Sequence, residues 1–131
     1  MRIILDSNRY TDLQRGLPEV VEFLAEVAEI HLPLVVLGEL RAGFANGAHR
    51  EKNESLLTKF RNQEAVFLLC PDEQTTYVYA ELFAFLRRKG TPIPTNDLWI
   101  ASLGVQHNLT LFDRDSDFDR IPQLTRVGPL R

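Results

Sequence analysis

The sequence predicts an α/β fold: a central, mostly parallel sheet of four to five strands with helices on both faces. Short apolar runs of strand length alternate along the chain with longer segments of helical periodicity. The segments between successive strands are long enough for helical crossovers, which join parallel strands in a right-handed sense. A chain of 131 residues can bury the core of one domain, so we expect a single domain over residues 1–131.

The first half of this alternation begins with an apolar strand at residues 2–6. The small polar residues Ser7 and Asn8 then indicate a turn or a helix N-cap. Pro18 opens a predicted helix over residues 18–29, and the apolar run at residues 30–36 predicts the second strand.

A helix is predicted over residues 37–45, with Glu39 in its first turn and an end near Asn46 and Gly47. A charged helix follows at residues 49–63. The third strand is expected at residues 66–70, because Pro71 closes an apolar run there.

The longest amphipathic helix is predicted over residues 73–89, up to the Gly and Pro residues of 90–94. Its expected apolar face comprises Tyr77, Ala80, Leu82, Phe83 and Leu86. We expect core or dimer packing for these aromatic residues rather than base stacking, because their spacing is helical. The next helix continues to residue 105, with Thr95 or Asn96 as its cap and Asp97 complementing its dipole.

The last part of the chain contains a fourth strand, an acidic loop and a short helical turn. These correspond to residues 109–112, residues 113–117 and residues 118–121, and a final edge strand is expected at residues 126–127. The closing region therefore repeats the pattern of the first strand, with carboxylates directly after apolar residues.

Composition excludes several classes of protein. The chain has 44% hydrophobic and 25% charged residues, which are the values of a globular protein rather than a disordered one. A formal net charge of −3 argues against a broad basic face. Cys70 is the single cysteine, so an intrachain disulfide and a cysteine-built zinc site are excluded. No apolar run has the length of a membrane helix, and we expect a cytoplasmic protein without membrane contact.

Acidic residues stand at four places where a strand ends or a helix begins. They are Asp6, Glu39, Asp97 and the cluster of Asp113, Asp115 and Asp117. In a parallel α/β fold these places lie on one edge of the sheet, so the carboxylates would meet in a crevice and repel one another. A divalent cation removes that repulsion, and carboxylate oxygens suit Mg²⁺ or Mn²⁺. The three histidines show no ligand spacing and receive no role.

Each acidic stretch taken alone has an ordinary structural explanation as a cap, a first-turn residue or an exposed turn. Their joint occurrence in this order favours a metal site. An EF-hand loop starting at Asp113 is excluded, because its sixth position would be Phe118 instead of glycine and its twelfth Leu124 instead of glutamate.

The four acidic motifs together resemble those of the PIN-domain nucleases, and more narrowly the VapC-type toxins of prokaryotic toxin-antitoxin pairs. The matching stretches are residues 3–8, 34–43, 94–101 and 111–122. The stretch around Asp97 is the most specific of the four. At Asp113 the chain departs from the family, which often has threonine or serine two residues before the final aspartate.

The resemblance implies a Mg²⁺-dependent endoribonuclease that cleaves RNA, is controlled by a cognate antitoxin and forms a homodimer. Its metal-binding and catalytic carboxylates would be Asp6, Glu39, Asp97 and Asp115, with Mn²⁺ as a possible substitute ion. Asp117 and Asp113 could share the work of Asp115 or hold a second ion. Three polar residues could orient ligands or waters: Ser7, Asn8 and Asn96.

Two questions stay open at this level. A non-catalytic PIN-like module, whose acidic crevice binds a basic partner segment, is the alternative to the nuclease. Arginines beside the acids could position phosphate, namely Arg9, Arg41 and Arg114.

Overall fold

The computed structural model describes residues 1–130 and contains one four-stranded parallel sheet with the order β3-β2-β1-β4. The strands are β1 (Arg2–Leu5), β2 (Glu29–Pro33), β3 (Val66–Leu69) and β4 (Thr110–Phe112). The helices are α1 (Ser7–Gln14), α2 (Pro18–Glu26), α3 (Leu34–Ala45), α4 (Arg50–Arg61), α5 (Glu73–Lys89) and α6 (Thr95–Gln106), followed by a 3₁₀ helix at Ser116–Arg120. The predicted α/β class and parallel sheet are confirmed.

The strand order determines where the helices lie. The chain steps from β1 to β2 to β3 in one direction and then returns past β1 to β4. Because crossovers between parallel strands are right-handed, the helices of the outward steps and those of the return step cover opposite faces. The core between them includes β1, where Ile3, Ile4 and Leu5 are completely buried.

The boundary between β2 and α3 differs from the sequence prediction. The second strand ends at Pro33, and α3 begins at Leu34 instead of residue 37. Pro33 takes the N-cap position, where its fixed φ and missing N–H are tolerated. An apolar run such as residues 30–36 does not reveal where a buried strand becomes a buried helix. Glu39 consequently lies in the second turn of α3, and its expected first-turn position is wrong.

Two features of α5 and α6 also differ from expectation. The N-cap of α6 is Pro94, and neither Thr95 nor Asn96 caps the helix. On α5, Tyr77 and Phe83 are 61% and 49% exposed, so they do not belong to the buried face. Other boundaries shift by a few residues: α2 ends at Glu26, because Glu29 already pairs in β2.

The segment after the 3₁₀ helix lies beside β4. Leu111 forms a parallel bridge with Arg126, with Leu111 N donating to Thr125 O at 2.8 Å and Val127 N donating to Leu111 O at 2.8 Å. The expected edge strand is therefore reduced to a single bridge. Among residues 1–130, no helix combines the length and apolar character needed to cross a membrane.

The left-handed backbone conformation at the C-terminus of α5 can be tested by substitution. Gly90 follows the helix in the left-handed conformation, with φ 71° and ψ 24°. We predict that Gly90→Ala lowers the free energy of unfolding by about 1 kcal/mol, because a Cβ is disfavoured at this φ. Gly43→Ala is the matched control, since Gly43 lies inside α3 with open space around a Cβ. Gly43→Ala should raise the free energy of unfolding by about 0.5–1 kcal/mol. Urea denaturation measures both variants, and a change of the same sign in the two would contradict the prediction.

Candidate metal centre

Two neighbouring strands deliver the first acids of the site. Leu5 of β1 pairs with Phe112 of β4, so Asp6 and Asp113 directly follow paired residues at the same edge of the sheet. Asp6 N donates to Phe112 O at 3.2 Å, which continues the ladder by one bond. Asp6 is also the N-cap residue of α1, and only 3% of its surface is exposed. The backbone of Asp6 is therefore fixed by both β4 and α1, and its side chain lies buried at this edge of the sheet.

Glu39 and Asp97 reach the site from two helices that pack against each other, α3 and α6. Asn96 Nδ2 lies 3.4 Å from Glu39 Oε2 and connects the two helices beside the site. Asp97 occupies the first turn of α6, as expected. The predicted role of Asn96 as an orienting residue thus has a specific target, Glu39.

The acidic loop after β4 completes the cluster. Carboxylate oxygens of Asp97, Asp115 and Asp117 lie within 4.8 Å of one another. Within the loop, Asp117 N donates to Asp115 Oδ1 at 2.9 Å, so Asp115 caps the 3₁₀ helix with one oxygen. The structure therefore brings Asp115 and Asp117 to the acid of α6 together.

The protonation of Asp6 and Asp97 reflects the crowding of these acids. Burial raises the pKa of Asp6 from 3.8 to about 6, and repulsion from neighbouring acids adds to the shift. Burial likewise raises the pKa of Asp97 to about 7. Repulsion also acts on Asp97, and its sources are Asp115, Asp6, Asp117 and Glu39. Each of these acids therefore lies near enough to Asp6 or Asp97 to raise its pKa.

A divalent cation fits this set of donors. Glu39 Oε1 is buried and finds no hydrogen-bond partner among the described residues, although a buried polar atom normally has one. The neighbouring acids offer carboxylate oxygens as ligands, which Mg²⁺ and Mn²⁺ prefer. Asp97, Asp115 and Asp117 stand close enough together to share such an ion, whereas Asp6 and Glu39 lie outside this group of three but near enough to repel Asp97.

Asp113 differs from the other acids, because both oxygens of its carboxylate accept hydrogen bonds from one arginine. Arg126 Nε donates to Asp113 Oδ1 at 3.0 Å, and Arg126 Nη2 donates to Asp113 Oδ2 at 2.8 Å. The side chain of Asp113 is 1% exposed. Sequence reasoning missed Arg126, since nothing in the local sequence connects it to a residue thirteen positions earlier.

Sequence reasoning also missed Asp12, an acid of α1 that is 3% exposed. Arg114 Nε donates to Asp12 Oδ2 at 2.9 Å and Arg9 Nη1 donates to the same oxygen at 3.3 Å. Burial of Asp12 acts to raise its pKa, but the two arginines outweigh burial and lower it. The spacing of Arg9 and Asp12 fits a helical pair, whereas the contact of Arg114 across 102 residues has no local signal.

The arginines considered for phosphate binding are thus engaged with acids of the chain. Arg9 and Arg114 hold Asp12, and Arg41 Nε donates to Glu54 Oε1 at 3.1 Å. Ser7 and Asn8 lie in the first turn of α1 directly after Asp6. Their position beside the buried acid agrees with the predicted orienting role, which stays a prediction.

The raised pKa values predict how the metal-free protein responds to pH. Between about pH 4 and pH 7 the folded state holds protons on Asp6 and Asp97 that the unfolded chain has released, so stability falls as pH rises through this window. Asp97→Asn removes one source of this effect. At about pH 8 with a chelator, it should raise the free energy of unfolding by about 1–3 kcal/mol, after allowance for solvent screening.

The gain from Asp97→Asn should vanish only below about pH 3, under the ordinary pKa of 3.8, where the wild-type carboxyl is protonated in both states. The control Glu22→Gln removes the same charge from an exposed position on α2 and should have little effect at either pH. Denaturant titrations at both pH values measure these differences. If Asp97→Asn were no more stable than the wild type at high pH, the result would contradict the predicted cost of ionising Asp97.

Comparison with known proteins identifies the family of this chain. The sequence profile described as "PIN domain" matches residues 3–124. The protein named "Ribonuclease VapC2" from Rickettsia felis is 34% identical over 105 residues, covering 79% of this chain and 77% of the relative. "Ribonuclease VapC4" from Mycobacterium tuberculosis is 30% identical over 91 residues, covering 70% of each chain.

Solved structures agree with this assignment. A chain in the crystal structure of VapBC2 from Rickettsia felis, bound to a DNA fragment from its promoter, superposes with a TM-score of 0.87 at 30% identity, covering 97% of this chain and 98% of the other. A chain of VapBC-1 from nontypeable Haemophilus influenzae gives 0.85 at 26% identity, covering 97% of both. On the profile match, the sequence similarity and the shared fold, the chain belongs to the PIN domain family.

Proposed function

We propose that the protein is a metal-dependent endoribonuclease, with Mg²⁺ as the ion and Mn²⁺ as a substitute. The observation that carries this proposal is the convergence of carboxylates from four separate chain segments with a single cationic partner among the described residues, Arg120, whose Nη1 lies 3.8 Å from Asp117 Oδ1. The acids are Asp6, Glu39, Asp97, Asp115 and Asp117. The buried Oε1 of Glu39, which has no hydrogen-bond partner among the described residues, is an acceptor that a bound cation would satisfy.

The residues divide the work of such a site. A bound divalent cation supplies Lewis acidity toward a phosphodiester and lowers the pKa of water. Asp97, Asp115 and Asp117 would hold the ion from the open side, since these three are partly exposed. Asp6 is buried and would anchor it from the sheet edge. Asn96 orients Glu39 by hydrogen bonding to Oε2.

Several relatives support a ribonuclease that is paired with an antitoxin. The relatives from Rickettsia felis and Mycobacterium tuberculosis carry the name ribonuclease, and another, from Neisseria gonorrhoeae, is named "Toxin FitB" and is 29% identical over 126 residues. The superposed VapBC2 and VapBC-1 structures carry names of toxin-antitoxin pairs. We propose a cognate antitoxin for this chain, with an arginine that pairs with the acidic crevice. Action on cellular RNA implies a cytoplasmic location.

Cleavage of RNA by active-site variants tests the proposal. Asp6→Asn and Asp97→Asn should each lower the cleavage rate with Mg²⁺ by at least about 100-fold, because each removes a charged ligand. Glu81→Gln, an exposed acid on α5, is the matched control and should cleave at the wild-type rate. The measurement is single-turnover cleavage of a labelled RNA, with circular dichroism to verify folding. Undiminished cleavage by both site variants would disprove the assignment.

Calorimetric titration with Mn²⁺ distinguishes the nuclease from a non-catalytic binding module. We expect the wild type to bind Mn²⁺ near neutral pH and Asp97→Asn to bind it at least about 10-fold more weakly. A folded wild-type protein that binds no Mn²⁺ would favour the module, whose acids would serve a basic partner segment instead.

We propose in addition that the protein is a homodimer through the outer face of α5. This face carries the exposed side chains of Tyr77 and Phe83, and the Tyr79 ring packs on Trp99 of α6 beside it at a centroid distance of 4.3 Å. Large exposed aromatic residues of this kind are enriched at protein interfaces.

Substitution of Phe83 tests this interface. Phe83→Asp should weaken dimerisation by at least about 10-fold, because a charge would be buried between the subunits. Sedimentation equilibrium measures the dissociation constant. Phe67→Asp, at an exposed position of β3, provides the control and should leave the dimer intact. A wild type that sediments as a monomer would exclude the dimer altogether.

A further inference from the structure

Arg126 stands in a segment whose backbone is held by the last strand. Leu111 N donates to Thr125 O and Val127 N donates to Leu111 O, so the residues on both sides of Arg126 are bonded to β4. β4 is the strand that leads directly into the acidic loop. The same strand therefore fixes the starting point of the loop and the base of the Arg126 side chain.

From this position the Arg126 guanidinium makes several bonds to the loop. It forms the two-pronged contact with Asp113 described above, and Nη2 also donates to the backbone oxygen of Asp115 at 3.2 Å. Its Nη1 contacts the carboxylate of Asp119, which is 67% exposed. Planar, two-pronged bonding of this type fixes orientation as well as distance. A bond to a backbone oxygen further restrains the path of the chain.

Asp113 passes this restraint on to the metal-site acids. Its Oδ2 accepts from Asp115 N at 2.9 Å, and Asp115 Oδ1 in turn accepts from Asp117 N at 2.9 Å. A continuous series of hydrogen bonds thus runs from Arg126 through Asp113 to the two loop acids whose oxygens approach Asp97.

Arg126 also compensates the charge of Asp113. A nearly buried carboxylate without a partner carries a large desolvation cost, and it adds to the repulsion on Asp6. With Arg126 in place, the pair is close to neutral and the remaining acids stay available for a cation. Both oxygens of Asp113 are already engaged, which separates it from Asp115 and Asp117.

We propose that Arg126, acting through Asp113, is a positioning residue that holds Asp115 and Asp117 in the geometry the metal needs. The inference rests on the proposed function, because it takes the carboxylate cluster as a divalent-metal site. Asp113 is then a structural acid of the loop and not a ligand.

The test is the affinity for Mn²⁺ alone, measured by calorimetry well below the unfolding temperature. Arg126→Ala should weaken Mn²⁺ binding by about 10-fold or more, which is the usual effect of losing a residue that orients a ligand. Arg126→Lys keeps the charge without the planar fork and should recover only part of the affinity. If Asp113 were itself a ligand that Arg126 obstructs, Arg126→Ala would tighten binding instead, and the proposal would be overturned.

A double variant examines whether Arg126 and Asp113 act as one unit. Asp113→Asn combined with Arg126→Ala should weaken Mn²⁺ binding no more than the stronger single change. An additional loss in the double variant would mean that Asp113 contributes independently, which also contradicts the proposal. Should Arg126→Ala fail to fold, the Mn²⁺ affinities of Arg126→Lys and Asp113→Asn are compared with that of the wild type. Weaker binding by both supports the positioning role, and wild-type affinity in both overturns it.

Two controls isolate the positioning effect. Asp119→Asn removes only the exposed contact of Arg126, and Arg50→Ala removes one positive charge from an exposed site on α4; both should bind Mn²⁺ like the wild type. A folded wild type without Mn²⁺ affinity would refute the metal site itself. Wild-type affinity in the folded Arg126 variants, with Asp115→Asn impaired, would refute the positioning role alone.

Discussion

The parallel pairing of β1 with β4 is the constraint on which the site depends. Its register places Leu5 beside Phe112, so the acids that follow these residues emerge at one edge of the sheet. The packing of α3 against α6 then brings Glu39 and Asp97 to the same edge. Residues separated by nearly the whole chain become neighbours because the return crossover from β3 to β4 passes both β2 and β1. A shift of this register would separate Asp6 from the acidic loop and dissolve the cluster.

The crowded carboxylates of this molecule fall into two groups, those with an arginine partner and those without one. Asp12 and Asp113 are buried and receive arginines, which lower the pKa of Asp12 and give Asp113 a two-pronged partner. Asp6 and Asp97 receive none, and their pKa values rise to about 6 and about 7. Each paired acid has its charge compensated within the fold, whereas the unpaired acids cost stability when they are ionised. This contrast separates the structural acids from the candidate ligands more clearly than sequence position does.

Sequence patterns predicted much of the fold, and they predicted that Asp97 lies beside the acidic loop, for physical reasons that also explain the failures. Strand β1 and helix α5 have strong, local signals in an apolar run and in helical periodicity. The end of β2 at Pro33 was not predicted, because the residues on both sides of it are apolar. Arg126 and the contact of Arg114 with Asp12 were beyond prediction, since only the folded topology makes these residues neighbours.

The departure of Asp113 from the family pattern has a physical consequence within this chain. A threonine or serine hydroxyl at this position could accept the Asp115 N–H without adding charge, and it would need no counter-ion. A carboxylate can accept the same bond, at 2.9 Å here, but it brings a buried negative charge beside a site that already repels itself. Arg126 supplies the compensating charge and gains a bond to Asp115 O. The acid at 113 and the arginine at 126 therefore form one structural unit, and either residue alone would leave a charge without its partner at the edge of the metal site.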